Sequence, residues 1–141
     1  FSKEEHSYPN PLSKRFAIET LGGRHIGNCM YYDIDLKRRE TELGIMIGDR
    51  DYWAKGYGTE AVRCLLTHIF TGTTMSRVYL HTLQWNHRAR KSFAKSGFKE
   101  LEPIKRNNKT FILMEVFRRE WQKQIDNEAK ELLGTRLKND G

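Results

Sequence analysis

The sequence predicts a mixed α/β domain, and three observations carry that prediction. Strand-like alternation fills the stretch before residue 48. An apolar strand, a glycine-rich turn and an amphipathic helix then follow in order. A second strand, an Asn-capped helix and a hairpin complete the pattern.

With 141 residues and a mass of 16.7 kDa the chain fits one domain with a substantial core. Its 38% apolar and 30% charged composition is that of an ordinary globular protein. No apolar run approaches the ~18 residues of a membrane span, so no membrane partner is expected. Cys29 and Cys64 form neither a CxxC pair nor part of a ligand cluster. They are expected to be inert thiols of a cytoplasmic protein, and no metal is expected. The chain opens at Phe1 with a polar segment that lacks the apolar core of a secretory signal, which reads as a trimmed start. A net charge of +7 favours an anionic partner, either a phosphate-bearing cofactor, an acidic surface or nucleic acid.

Taken in order, residues 15–20 alternate, Gly22-Gly23 interrupts, and residues 25–35 resume, which predicts a β-hairpin. Alternation turns one of Tyr31 and Tyr32 inward. A charged loop over residues 36–40 leads to a short apolar strand, residues 42–48, in which Gly44 marks a bulge or a close backbone approach. After the glycine turn, Gly58 or Thr59 caps a helix with Ala61, Val62, Leu65, Leu66, Ile69 and Phe70 on one face and Arg63 and Thr67 outward. Residues 71–74 end that helix. The strand 77–83 then makes a parallel crossover.

Asn86 caps a second helix that stops at Gly97. Strands over 98–104 and 110–117 flank a polar turn at 105–108. The tail repeats Trp121, Ile125, Ala129, Leu132, Leu133 and Leu137 at helical spacing, predicting a helix packed on the body or on a second copy. The chain thus divides into a domain over 1–119 and a C-terminal amphipathic helix over 120–141.

The chemistry begins at the run Asp51-Tyr52-Trp53-Ala54-Lys55-Gly56-Tyr57-Gly58-Thr59-Glu60-Ala61. Glycines allow a tight turn and a close ligand approach, and the first amides of a helix present the positive end of its dipole. Such a turn suits a pyrophosphate. No lysine followed by Ser or Thr comes after the second glycine, and no GxGxxG is present, so the phosphate belongs to a carrier rather than to a hydrolysed nucleotide. His81 and His87 read as surface or packed residues without a nucleophilic partner.

In this order of elements the chain resembles the GNAT superfamily of N-acetyltransferases over residues 15–121. Trp53-Ala54-Lys55-Gly56-Tyr57-Gly58 stands where the family carries its Q/R-x-x-G-x-G/A acetyl-CoA loop. Asn86-His87-Arg88-Ala89 with Lys95-Ser96-Gly97-Phe98 resembles the second cofactor motif. Tyr52 to Tyr57 and Arg119-Glu120-Trp121 resemble the ribosomal-protein-alanine branch most.

The resemblance implies a mostly antiparallel sheet that splays near Ile47 to admit acetyl-CoA, with helices on both faces. It implies that the backbone of Ile45, Met46 and Ile47 pairs with the pantetheine arm. Amides from Lys55, Gly56, Tyr57, Gly58 and Thr59 would hold the pyrophosphate, with Asn86 on the arm's other side. Arg88, Arg90, Lys91 and Lys95 crowd one helix, and one or two of them are expected to contact the 3′-phosphate while the others solvate the helix's exposed face.

The implied reaction is direct transfer of acetyl to a primary amine, including a protein N-terminus, in a ternary complex. Amine attack requires a neutral amine, and Glu42 is the expected general base acting through water; the alternative is a solvated strand-end carboxylate or a structural salt bridge. An amide near Met46 or Ile47 would meet the oxyanion.

Two positions and one segment depart from the family. Trp53 replaces the usual Gln or Arg, and Phe93 replaces a proton-donating tyrosine. The family's first strand and two helices have no expected counterpart before Phe16. A CoA-binding fragment without catalysis is therefore one alternative. The other is a basic nucleic-acid-binding module using Lys105, Arg106 and Lys109.

Overall fold

The computed structural model describes residues 2–4, 13–48, 50–53 and 55–140. Seven strands form one sheet: β1 (Ser2–Glu4), β2 (Ser13–Glu19), β3 (His25–Asp35), β4 (Glu40–Ile47), β5 (Arg77–Leu83), β6 (Lys99–Arg106) and β7 (Lys109–Phe117). Their order is β1-β2-β3-β4-β5-β7-β6. Every pairing is antiparallel except that of β4 with β5. That parallel pair joins only Glu40 to Arg77, Thr41 to Val78 and Glu42 to Tyr79. Both strands continue beyond it, so the sheet opens from Leu43 onward. The opening begins earlier along β4 than the expected point at Ile47.

The crossover between these strands is helix α1 (Tyr57–Gly72). It begins two residues before the expected start, because Gly56 at φ 83° makes the N-terminal turn, and Thr73 caps the other end. Strand register puts Phe16, Cys29, Tyr31, Leu43, Val78, Leu80, Met114 and Val116 on one face, where they meet Val62, Leu65, Leu66, Ile69 and Phe70 of α1 in one core. Helix α2 (His87–Lys95) lies beside α1 on the same face. Asn86 caps it as expected, its Oδ1 accepting from Ala89 N at 3.2 Å. Gly97, at φ 105°, ends it, and Phe98 N donates back to Phe93 O while the two rings meet edge to face.

Helix α3 (Arg118–Asp140) starts two residues before the expected boundary at 120. It docks through its first turn, where Trp121 is buried 5.3 Å from the Phe70 ring. Farther along, Ile125, Leu132 and Leu133 are 40%, 70% and 59% exposed. The expected packing of the whole stripe on the body is therefore limited to Trp121; Leu137 lies outside the described side chains.

Other expectations change in detail. All three α-helices pack on the α1 face, so among the described residues no helix covers the opposite, open face. Gly44 pairs in regular register with Met30, and the irregularity falls instead between Tyr32 and Asp35. The missing side chain at Gly44 leaves room on the open face for the Tyr32 ring and for Met30. The 105–108 turn contracts to Asn107-Asn108, both at positive φ, as a two-residue hairpin of the observed twist requires. Finally, β1 supplies an edge strand before Phe16 where none was expected, and residues 5–12 between β1 and β2 lie outside the described residues.

Candidate functional site

The opening between β4 and β5 has two sides of different chemistry. On the α1 face lies a cleft of about 580 Å³, walled by Ile45, Ile47, Val62 and Phe93 and rimmed by Trp53, Gly58, Asn86, Arg88 and Ser92. Past Glu42 the β5-facing edge of β4 has no strand partner. Main-chain groups there, apart from Ile47 O, which accepts from Trp53 Nε1, are left to pair with an extended ligand.

At one end of the cleft, helix α1 starts without a side-chain cap. Its first intrahelical bond is Glu60 N to Gly56 O at 3.0 Å, so the amides of Tyr57, Gly58 and Thr59 lack helical acceptors. A Cβ built on Gly58 would meet Ile47 Cδ1 at 3.6 Å and Ser92 Oγ at 4.0 Å, so glycine there keeps the cleft floor open. Thr59 is not the cap; its hydroxyl bonds Ser92 Oγ at 2.7 Å and fixes α1 against α2. Trp53 Nε1 donates to Ile47 O at 2.6 Å, tying the glycine loop to the end of β4. Arg50 and Arg88 lie 5.4 and 5.9 Å from the Trp53 ring, placing two cations at the mouth.

The structure brings Ile45, Ile47, Gly58 and Asn86 together around this cleft. Met46 points to the other face, is 69% exposed and is not among the residues lining the cleft, and its carbonyl faces Gly27 of β3. Lys55 lies over the Tyr52 ring at 5.5 Å. Lys95 is not brought to the cleft, because it ends α2 and Asn86 begins it. Arg90 is engaged with both oxygens of Glu100 at 2.9 Å, which holds that carboxyl below its ordinary range. Of the four cations on α2, Arg88 alone lines the cleft.

On the open face the alternation of β4 and β5 lines up Tyr32, Glu42 and Tyr79, with His81 next along β5. His81 Nδ1 meets Glu42 Oε2 at 2.8 Å, and both side chains are 12% exposed. Tyr32 also hydrogen-bonds Glu42; burial first, then that carboxylate, pushes its hydroxyl well above the usual phenol range. Tyr79 is raised by the same two causes. Beside them Arg77 binds Glu40 at 3.2 Å and Glu115 at 2.7 Å. Glu42 is therefore not a solvated strand end; it is paired with His81, in keeping with the salt-bridge alternative. His81, expected to lack a partner, has one 39 residues away in sequence. Trp85, 70% exposed beside Asn86, also lines the cleft, and in the sequence its place next to a helix cap is the signal for it.

Cys29 is fully buried, and burial pushes its thiol up to about 12, as expected of an inert thiol. Among the described residues no group of three or more His, Cys, Asp or Glu could hold a metal ion. No helix among them is long and apolar enough to cross a membrane.

A sheet opened between two parallel strands, with an uncapped glycine-turn helix beside the opening, defines an acyl-CoA-dependent transferase fold. Residues 3–99 match the acetyltransferase (GNAT) domain family, and the chain belongs to that family. A 53-residue segment is 36% identical to an uncharacterized N-acetyltransferase p20 of Bacillus licheniformis, covering 38% of this chain and 29% of that relative. The fold is similar to spermidine N-acetyltransferase from Vibrio cholerae in complex with CoA and spermine: TM-score 0.72, 21% identity, 79% of this chain and 69% of that one. Mutant forms of a spermidine/spermine N-acetyltransferase from the same organism give a TM-score of 0.74 at 22% identity, over 84% and 74% of the two chains. The donor of this family is acetyl-CoA, and the cleft offers apolar walls, the uncapped amides that start α1 and the Arg88 cation, a chemistry that fits such a group.

Proposed function

We propose that this chain transfers acetyl from acetyl-CoA to a primary amine by direct attack in a ternary complex. The observation that carries the reading is the opening past the Glu42–Tyr79 pair, with an anion-binding helix start on one face and a carboxylate–imidazole pair on the other. Acetyl-CoA supplies the activated acyl group. Ile45, Met46 and Ile47 offer their backbone to the arm, and Lys55, Gly56, Tyr57, Gly58 and Thr59 offer amides to the pyrophosphate. Asn86 closes the cleft from α2. Lys95 retains only a long-range attraction for the 3′-phosphate, with Arg88 as the near cation. Glu42 supplies the carboxylate that drives proton removal on the acceptor side, and an amide near Met46 or Ile47 faces the oxyanion. Phe93 lines the cleft without a proton to give.

For the acceptor, the likeness around Trp53 favours a protein N-terminal amine, as in the ribosomal-protein-alanine branch. A polyamine is the second reading, favoured by the carboxylates Glu40, Glu42 and Glu115 gathered on the open face. The protein acts in the cytoplasm in either case. Residues 1–119 form the transferase domain, and the exposed stripe of α3 pairs two copies. Sedimentation of a chain cut after Arg119 tests that pairing, an unchanged mass removing it.

Calorimetry with acetyl-CoA is the primary test. Absence of heat, together with no protection of the Gly56 region from hydrogen exchange, removes the reading. Binding with acetylation of an alanine-starting peptide supports the N-terminal acceptor, and acetylation of spermidine supports the polyamine. Binding without either points to the inactive CoA-binding fragment, a reading favoured by the uncovered open face. Salt-dependent retention of RNA or DNA without acetyl-CoA binding would restore the nucleic-acid module.

A further inference from the structure

We infer that His81 is the group that takes the proton from the acceptor amine, and that Glu42 is the positioning residue that orients it. The inference rests on the acetyl-transfer reading. The geometry assigns the roles. Glu42 ends the paired part of β4, and His81 is the first open-face residue of β5 beyond the paired part, so the two side chains meet across the apex of the opening.

A carboxylate only accepts, so the Nδ1 facing Glu42 Oε2 at 2.8 Å carries the ring's hydrogen. The neutral ring then presents a lone pair at Nε2. No other hydrogen bond engages the ring among the described residues. The one buried side-chain nitrogen or oxygen left without a partner among them is Arg118 Nε, so His81 Nε2 reaches solvent. An imidazole held in one tautomer, with its second nitrogen open to a site, is the arrangement of an oriented general base.

The neighbours support this division of roles. Tyr32 from β3 hydrogen-bonds Glu42, and Tyr79 from β5 meets the His81 ring edge to face at 6.1 Å. Asp33 from β3 and Glu40 from β4 add negative charge nearby. Arg77 is occupied by Glu40 and by Glu115 of β7, and Leu113 is the β7 register partner of His81. A cationic amine is therefore met by acceptors from three strands, while the nearest arginine is engaged elsewhere.

The protons balance as follows. The ammonium form of the acceptor gives one proton to His81 Nε2. The freed nitrogen lone pair forms the C–N bond to the acetyl carbon, and the C–S bond breaks. The second amine proton leaves with the thiolate as free thiol, and His81 returns its proton to water. No group on Phe93 is required.

Three measurements test the assignment. ¹⁵N NMR of the apo wild-type chain reads the tautomer: hydrogen on Nδ1 is expected, reverting toward Nε2 in Glu42→Ala, and a wild-type ring with hydrogen on Nε2 overturns the inference. Calorimetry with acetyl-CoA on wild type, His81→Gln and Glu42→Ala is expected to give equal affinities. Acetylation of whichever amine the wild type accepts, spermidine or an alanine-starting peptide, is expected to fall about 10²- to 10⁴-fold in His81→Gln. Its residual rate should rise about tenfold per pH unit while the amine remains mostly protonated. A His81→Gln chain with the wild-type rate and pH profile overturns the base alone. A wild-type chain that binds no acetyl-CoA overturns the acetyl-transfer reading, and this inference with it.

Discussion

Replacing each glycine around the cleft in turn separates folding from binding, because the backbone gives each one a different reason to be glycine. Gly56 sits at φ 83° with no atom within 4 Å of a built Cβ. Alanine there meets no neighbour but carries the left-handed strain of about 1–2 kcal/mol. In a chain of this size that lowers the melting temperature by roughly 3–8 °C. Gly58 is ordinary helical backbone, and its built Cβ makes only van der Waals contacts, 3.6 Å from Ile47 Cδ1 and 4.0 Å from Ser92 Oγ. Alanine there leaves the fold unchanged or stabilises it by up to ~1 kcal/mol. Its methyl, however, stands in the cleft lining between Ile47 and Ser92, beside the uncapped start of α1. Losing one charge-assisted bond to a phosphate costs about 1.5–3 kcal/mol, or about 10- to 150-fold in acetyl-CoA affinity. Gly48, with open space and no positive φ, is the control and shifts stability by less than ~0.5 kcal/mol. Thermal unfolding by circular dichroism and acetyl-CoA calorimetry at fixed salt read the two effects. The reasoning is refuted if Gly58→Ala binds as tightly as wild type, or if Gly56→Ala melts with Gly48→Ala.

Other perturbations test the fold that holds the site. Arg118 donates to the carbonyls of Phe70, Thr73 and Met75 at the end of α1, so Arg118→Ala should destabilise by about 2–4 kcal/mol in urea, with Arg118→Lys recovering part. Leu65 is fully buried away from the cleft, and Leu65→Ala should cost about 2–5 kcal/mol while leaving acetyl-CoA affinity unchanged in folded protein. The Cys29 thiol is raised to about 12, so the folded chain keeps a proton that the unfolded chain releases from about pH 9. Stability present below that range is lost as pH rises, by up to ~1.4 kcal/mol per unit, and Cys29→Ala should show a shallower alkaline limb in denaturant titrations between about pH 8.5 and 10.5.

Much of the fold was legible because local rules and tertiary packing agreed. The apolar face of α1, the Asn86 cap, the Gly97 stop and the 77–83 strand each follow from spacing or backbone chemistry within a few residues. Disagreements came where the deciding contact is distant. Spacing marks the stripe of α3 as amphipathic, yet among its described side chains only Trp121 is buried, because the helix meets the body near its start, through Trp121 and Gln124, and not along Ile125, Leu132 and Leu133. Likewise Lys95 shares a motif with Asn86, but the helix between them carries it away from the cleft.

By itself the sequence determined the order of elements and the glycine turn that frees three helix amides, because capping, left-handed backbone and hydrophobic period are properties of neighbours along the chain. Only the tertiary structure decided where β4 and β5 part, that the three α-helices share one face, and that His81 meets Glu42. Strand register converts a separation of 39 residues into a 2.8 Å contact, and no local spacing encodes which open-face side chains stand side by side once two strands are paired through a helix.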